Sequence, residues 1–236
     1  MAILAHMSQY SQKLKEIRTQ KSLTQEQVAK AIGVSRPTYN AIEAGKQELS
    51  LDEAGKLANL FGIGVQDLLS GSIPDIEKYK HMILTYLRMN LSKDGRIPKT
   101  KLAKLLYLAD FAWFYDHLES MSGMQYRKIA YGPVPDAFFR ALDELAEDGK
   151  IQIDKEEHGE KTMFLVSEAE SNRNARIQTL SKEETALMKK IAEKWKGKNT
   201  EAIVNFTHNQ LPYFLCRDNE LIPYELITQE DVGAVY

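Results

Sequence analysis

Cysteine is nearly missing from this sequence, and that shortage excludes several classes of protein at once. One Cys among 236 residues cannot close an internal disulfide, so a disulfide-stapled secreted scaffold is excluded. With only five scattered His beside it, no structural zinc and no other metal is expected. No apolar run approaches the roughly 20 residues that a membrane-spanning helix needs. The stretch from Met1 to Met7 has no basic residue ahead of its apolar part and is too short for a signal peptide. A cytoplasmic protein with no membrane partner is the expectation. Gly-rich phosphate loops and a nucleophile elbow are also absent, so no cofactor is expected and the chain does not read as an enzyme. Nor is there a large charge of one sign, since 31 Lys plus Arg face 33 Asp plus Glu.

What is present is a folded composition, 43% hydrophobic and 27% charged, too apolar for a disordered chain. Residues 1–70 carry eight basic and seven acidic side chains, and residues 71–236 carry 23 and 26. The net charge of -2 is a whole-chain sum, so it does not exclude a nucleic-acid partner.

Residues 9–70 read as five short helices. The first, 9–20, places Leu14 and Ile17 on one face. Thr24 caps the second, with Gln27 at the third position of a capping box. That helix buries Val28, Ala29 and Ile32 and stops at Gly33, where a left-handed backbone costs least. Ser35 caps the third, and Pro37 suits its first turn. It buries Tyr39 and Ile42 and exposes Arg36, Thr38 and Asn40. The fourth spans about 51–61 and the fifth about 65–69. Two eight-residue helices joined by a short turn with a Gly form a helix-turn-helix. The run from Leu23 to Gly45 resembles the lambda-repressor-like (Xre-type) DNA-binding domain. The resemblance implies that Arg36, Pro37, Asn40 and Ala41 face base edges in a major groove. Arg36 there reads guanine in a bidentate manner, worth about 1–3 kcal/mol of discrimination. Gln25, Lys46 and, less directly, Lys21 are placed for phosphates. Glu43 is expected to be structural. One such module makes few phosphate contacts, so a homodimer is expected, with recognition helices about 34 Å apart on a pseudo-palindromic double-stranded operator.

Ser70-Gly-Ser-Ile-Pro74 reads as a boundary. It separates a domain at 8–71 from a second at 75–236. Asp75 caps a helix at about 75–90, and Pro98 starts another at 98–117. From Leu105 to Tyr115 that second helix is apolar almost all round, so it is expected to be buried on every side. Asp110 within it must face solvent or be hydrogen-bonded. Residues 125–131 read as a strand, Gly132-Pro133 as a turn, and Pro135 as the start of a helix to about 148. Strands at 150–154 and 161–166 flank a hairpin loop at 155–160. Helix followed by hairpin outlines a winged helix, but three acids against one lysine in the loop argue against phosphate binding there. Ser181 with Glu184 caps a helix at 182–196, and Thr200 caps one at 201–208. Cys216 is expected to be a small buried side chain.

Lys104-Leu-Leu-Tyr-Leu-Ala-Asp110, Tyr126 with Tyr131-Gly-Pro-Val134, Thr207-His208 and Leu211-Pro-Tyr213 resemble the Panacea (SocA-like) domain over about residues 78–227. The family's usual Pro-Trp is Pro212-Tyr213 here. Members are antitoxins, so the resemblance implies a mainly α architecture: a five-helix DNA-binding domain, then a mostly helical Panacea domain with a small β-hairpin or short antiparallel sheet. It implies an antitoxin that neutralises a cognate protein toxin and binds operator DNA to autoregulate its operon. Tyr107, Asp110, Tyr126, Arg127, Tyr131, Pro133, His208 and Tyr213 are candidate toxin-binding or structural positions. Tyr126, Arg127, Tyr131 and Pro133 form the best candidate partner surface. Two alternatives stand beside this reading. One is a phage-type or metabolic regulator whose second domain binds a small ligand or another protein. The other is an enzyme of unknown chemistry using His208 and Asp110.

Overall fold

A computed structural model describes residues 14–19, 21–61, 65, 68, 74–158 and 161–236. The chain divides into two compact units between Pro74 and Asp75.

In unit 1, a helical segment at 14–19 precedes α1 (Gln25–Ile32), α2 (Arg36–Glu43) and α3 (Leu51–Phe61). The start of α1 is set by a reciprocal box. The Gln27 amide donates to Thr24 Oγ1 at 3.2 Å, and the Thr24 amide donates to Gln27 Oε1 at 2.8 Å. Gly33 ends α1 at φ +81, which lets the Val34 amide reach back to the Ala29 carbonyl at 2.9 Å. Ser35 then caps α2 through the Thr38 amide, with Pro37 in the first turn. Leu14, Val28, Ala29, Ile32, Tyr39, Ile42, Leu57 and Phe61 are all buried in one core. Much of the expected fifth helix, and residues 9–13 of the first, lie outside the described residues.

Unit 2 is built around one helix. Its elements are α4 (Ile76–Leu87), β1 (Ile97–Pro98), α5 (Lys99–His117), β2 (Tyr126–Ile129), β3 (Gly132–Pro135), α6 (Ala137–Glu147), β4 (Ile151–His158), β5 (Lys161–Glu168), α7 (Lys182–Trp195), α8 (Thr200–Asn209) and α9 (Leu211–Leu215). Short 3-10 turns follow, at Tyr224–Gln229 and Val232–Ala234. Every residue of α5 from Lys101 to Ala112 is buried. Around it pack α4, α7, α8, β3, β5 and the turn at Tyr224–Gln229. Such all-round burial explains why α5 is apolar on every face.

Sheet pairing corrects three expectations. Gly132 and Pro133 do not turn the chain: Ala130 and Tyr131 do, and Gly132–Pro135 pairs antiparallel with Tyr126–Ile129. Pro135 closes β3 instead of opening α6, which starts at Ala137. A proline has no amide to give a further strand, which suits a two-stranded ribbon. The strands β4 and β5 also run well past 154 and 166. Cross-strand pairs such as Lys155 with Phe164 and Glu157 with Thr162 extend the ribbon where apolar alternation has stopped. The edge of β5 gains a third strand, with Ile97 opposite Val166, for an order β1-β5-β4. Asn199, one residue before Thr200, is the cap of α8.

Candidate nucleic-acid interface and partner site

In unit 1 a part-buried ion pair holds the end of α2. Glu43, at the end of that helix, accepts from Arg18 Nε at 2.7 Å and from Gln25 Nε2 at 2.6 Å. Arg18 also donates to the Leu23 carbonyl at 2.9 Å. Its pKa is raised, chiefly by the hydrogen bond to Glu43. One carboxylate thus ties the end of α2 to both preceding helical segments. Its structural role was legible in the sequence, but its partners were not.

With the apolar side of α2 turned inward, Arg36, Pro37 and Asn40 stand exposed and Ala41 half-buried. Lys21 and Lys46 are exposed. Among the described residues, the side chains of Arg36, Asn40, Lys21 and Lys46 carry no hydrogen bond or ion pair. Gln25 is half-buried, and its amide is engaged by Glu43.

In unit 2 most of the sequence-predicted residues fall, with neighbours the sequence did not single out, around two centres. The first surrounds Asp110, which is fully buried. Its carboxylate accepts from the Ser122 amide at 2.7 Å, Ser122 Oγ at 2.5 Å, Tyr126 Oη at 2.8 Å and Ser120 Oγ at 3.2 Å. Burial raises its pKa, and these four donors oppose the rise. Tyr224 closes the network by donating to the Met124 carbonyl at 2.7 Å while stacking on Phe111. Asp110 therefore organises the chain from Ser120 to Tyr126 ahead of β2.

Lys104, Gly132, His208 and Tyr213 make the second group. Lys104 has no exposed surface, and its Nζ donates to the Pro133 carbonyl at 3.1 Å. Burial lowers its pKa to about 7. The His208 ring stacks on Tyr213 with centroids 4.3 Å apart, and its buried Nε2 has no hydrogen-bond partner. Burial, then Lys104 and Lys128, lower the pKa of His208. Tyr213 donates to the Ile129 carbonyl at 3.0 Å, which pins α9 against β2. Gly132 sits at φ +98, and a Cβ there would stand 2.5 Å from Lys104 Cε and 2.7 Å from His208 Nε2. Gly132→Ala is expected to cost about 1–3 kcal/mol, from the left-handed backbone and the displaced lysine. Urea unfolding measures it, and a wild-type midpoint would refute the tight fit.

Asp110 and His208 share no partner, so the structure does not assemble them into a catalytic pair. The expected surface of Tyr126, Arg127, Tyr131 and Pro133 is corrected as well. Tyr126 and Pro133 are buried, and Arg127 is half-buried and paired with Asp136. Only Tyr131, 75% exposed, remains open. Tyr107 is buried in the aromatic core, at 4.2 Å from Phe111. Cys216 is half-buried, not buried. The sequence reading missed Lys104 as a site residue, although a lysine inside an all-apolar helix was its signal. Elsewhere, an open cleft of about 700 Å3 includes Arg88, Lys93, Asp154, Glu168 and Arg173 in its lining. Arg88 is committed there to Glu168 at 2.5 Å.

The two helices, their Gly33 turn and the exposed N-terminal part of α2 define a helix-turn-helix protein. A helix-turn-helix family model matches residues 14–68, and the antitoxin SocA-like Panacea domain matches residues 102–212. The cryptic phage CTXphi transcriptional repressor RstR of Vibrio cholerae is 40% identical over 75 residues, 31% of this chain and 68% of that one. An uncharacterised helix-turn-helix-type transcriptional regulator of Methanocaldococcus jannaschii is 50% identical over 56 residues, 24% of this chain and 85% of that one. The transcriptional activator BcrR of Enterococcus faecalis is 33% identical over 85 residues, 36% of this chain and 39% of that one. No solved structure matches significantly. The chain belongs to the helix-turn-helix family of transcriptional regulators, with that DNA-binding domain fused to a SocA-like Panacea domain. Both are non-catalytic domains of regulatory or antitoxin type. No helix among the described residues is long and apolar enough to cross a membrane.

Proposed function

We propose that this chain is an antitoxin. Residues 75–236 bind and neutralise a cognate protein toxin, and residues 8–71, as a five-helix lambda-repressor-like domain, bind the operator of the shared operon. The observation that carries this reading is the joining, in one chain, of a helix-turn-helix to a SocA-like Panacea domain. In this reading two copies place their α2 helices in successive major grooves of a pseudo-palindrome. Arg36, Pro37, Asn40 and Ala41 face base edges, while Lys46 and Lys21 neutralise phosphates. Gln25 keeps its bond to Glu43 and offers its backbone amide at the start of α1 to a phosphate. Arg36→Ala is expected to lose about 1–3 kcal/mol of operator affinity and to relax preference at one position of each half-site. Titration of the upstream DNA by mobility shift measures this, with toxin neutralisation unchanged as the control. Wild-type affinity would remove Arg36 from the interface. Capture of the neighbouring gene's product by the full chain tests the antitoxin assignment itself.

The polar cleft favours a second reading, a regulator controlled by a small polar ligand. Capture of no protein partner, together with operator release by a polar metabolite, would select it.

A further inference from the structure

Among the described residues, unit 2 buries three lysines, and two have clear partners. Lys80 bridges Glu77 and Glu144 at 2.9 and 2.6 Å. Lys101 donates to the carbonyls of Trp195 and Lys198 at 3.0 and 2.6 Å, capping the end of α7. Lys104 has the Pro133 carbonyl alone. The ammonium carries three N–H donors and the neutral amine two, so in either form at least one N–H is unsatisfied in a fully buried position.

The imidazole of His208 makes this more pointed. His208 Nε2 and Lys104 Nζ each lie 2.7 Å from the point where a Cβ of Gly132 would stand, so both nitrogens converge on the same glycine. Neither has an acidic partner among the described residues. Lys128 brings a third basic group, its Nζ bonded to the Cys216 carbonyl at 2.8 Å and 4.6 Å from the Tyr213 ring. Glu230 accepts from the Leu211 amide at 2.5 Å and so is already engaged. A unit with three more acids than bases thus keeps two basic nitrogens buried without an acidic partner.

The geometry points to a carboxylate-binding site formed by Lys104 Nζ and His208 Nε2 beside Gly132, filled by an acidic side chain of the protein partner. This rests on the reading of unit 2 as toxin-binding. One carboxylate oxygen accepts from the spare N–H groups of Lys104, and the other accepts from protonated Nε2. Both donor nitrogens are buried and His208 is only part-exposed, so a carboxylate reaches them by displacing that ring from Gly132. A protein source fits better than a free acid because exposed apolar side chains neighbour the buried site in sequence. Tyr131, Phe214 and Leu215 are 75%, 67% and 59% exposed, and they flank Gly132 and Tyr213 in the chain. Aromatic side chains are enriched among the anchors of protein interfaces.

Two experiments on the full chain test the site. In the first, labelled protein is titrated with sodium acetate and, separately, with sodium chloride at equal ionic strength, while the Gly132 amide and His208 ring are followed by NMR. Acetate is expected to give saturable shifts there and to raise the pKa of His208. Lys104→Met should abolish both while leaving signals remote from the site unchanged. Absence of shifts, or equal shifts with chloride or in Lys104→Met, overturns the site. The second experiment measures affinity for the neighbouring gene's product, expected to fall at least tenfold in Lys104→Met. Unchanged affinity beside intact acetate binding by the wild type overturns the partner as source and leaves a free carboxylate. Failure of the wild type to bind that product refutes the antitoxin reading, and the acetate titration still decides the site.

Discussion

Asp110→Ala is expected to destabilise unit 2 by about 3–5 kcal/mol, because it leaves buried donors without an acceptor and opens a void beside them. Four hydrogen bonds end on this carboxylate, one from a backbone amide that cannot reorient. Asp110→Asn should cost far less. Its amide oxygen can take the Ser122 amide, and the hydroxyls of Ser122 and Tyr126 can rotate to accept from its NH2 group. The pH dependence gives a second handle. The pKa of Asp110 is raised in the folded state, so its stabilising contribution is full at low pH and is lost as pH rises through that pKa. The asparagine variant lacks this loss. It should therefore compare more favourably with the wild type at pH 7 than at pH 4. Urea unfolding at both values checks it. A small loss for the alanine variant, or an asparagine variant as weak as alanine, would show that the network does not hold the segment from Ser120 to Tyr126.

Lys104→Met is expected to stabilise the protein at pH 6 and to lose that advantage above pH 10. Burial lowers the lysine's pKa from 10.5 to about 7. Between those values the folded state holds Lys104 neutral while the unfolded state protonates it, so wild-type stability rises with pH across the window. The rise is roughly 3–5 kcal/mol, at 1.36 kcal/mol per pKa unit. Methionine removes the titration and also the hydrogen bond to Pro133, which leaves a carbonyl unpaired at a cost of about 1–3 kcal/mol. The two stability curves should therefore cross. Parallel curves from pH 6 to 11 would mean that Lys104 keeps its proton in the folded protein. A wild type that is less stable than its methionine variant at neutral pH fits a lysine kept for binding.

Particular elements show how far the sequence could be read. In unit 1, Thr24 with Gln27, Gly33, and Ser35 with Pro37 act within a few residues of one another, so α1, α2 and the turn between them were legible before any coordinates. The same holds for Asp75 and for Ser181 with Glu184. Gly132, Pro133 and Pro135 were misread because a turn and a proline-bearing ribbon strand use the same residues. What separates them is pairing with Tyr126–Ile129, which no local signal encodes. The charged end of β4 was read as loop for a related reason. Its alternation of apolar residues stops, while its backbone continues to pair with β5.

By itself, then, the sequence determined the short-range features: helix starts and stops, the two domains it resembles, the exposed Arg36 and Asn40, and the all-round apolar character of α5. Tertiary structure alone decided which buried charges are satisfied. Asp110 and Lys104 lie six residues apart in one apolar helix, and nothing local distinguishes their fates. Asp110 meets four donors from the segment Ser120 to Tyr126, whereas Lys104 bonds to one carbonyl, near an α8 imidazole whose Nε2 has no hydrogen-bond partner. The physical reason is range. Capping and periodicity are settled between near neighbours, but compensation of a buried charge depends on groups that only the folded chain brings within about 3 Å.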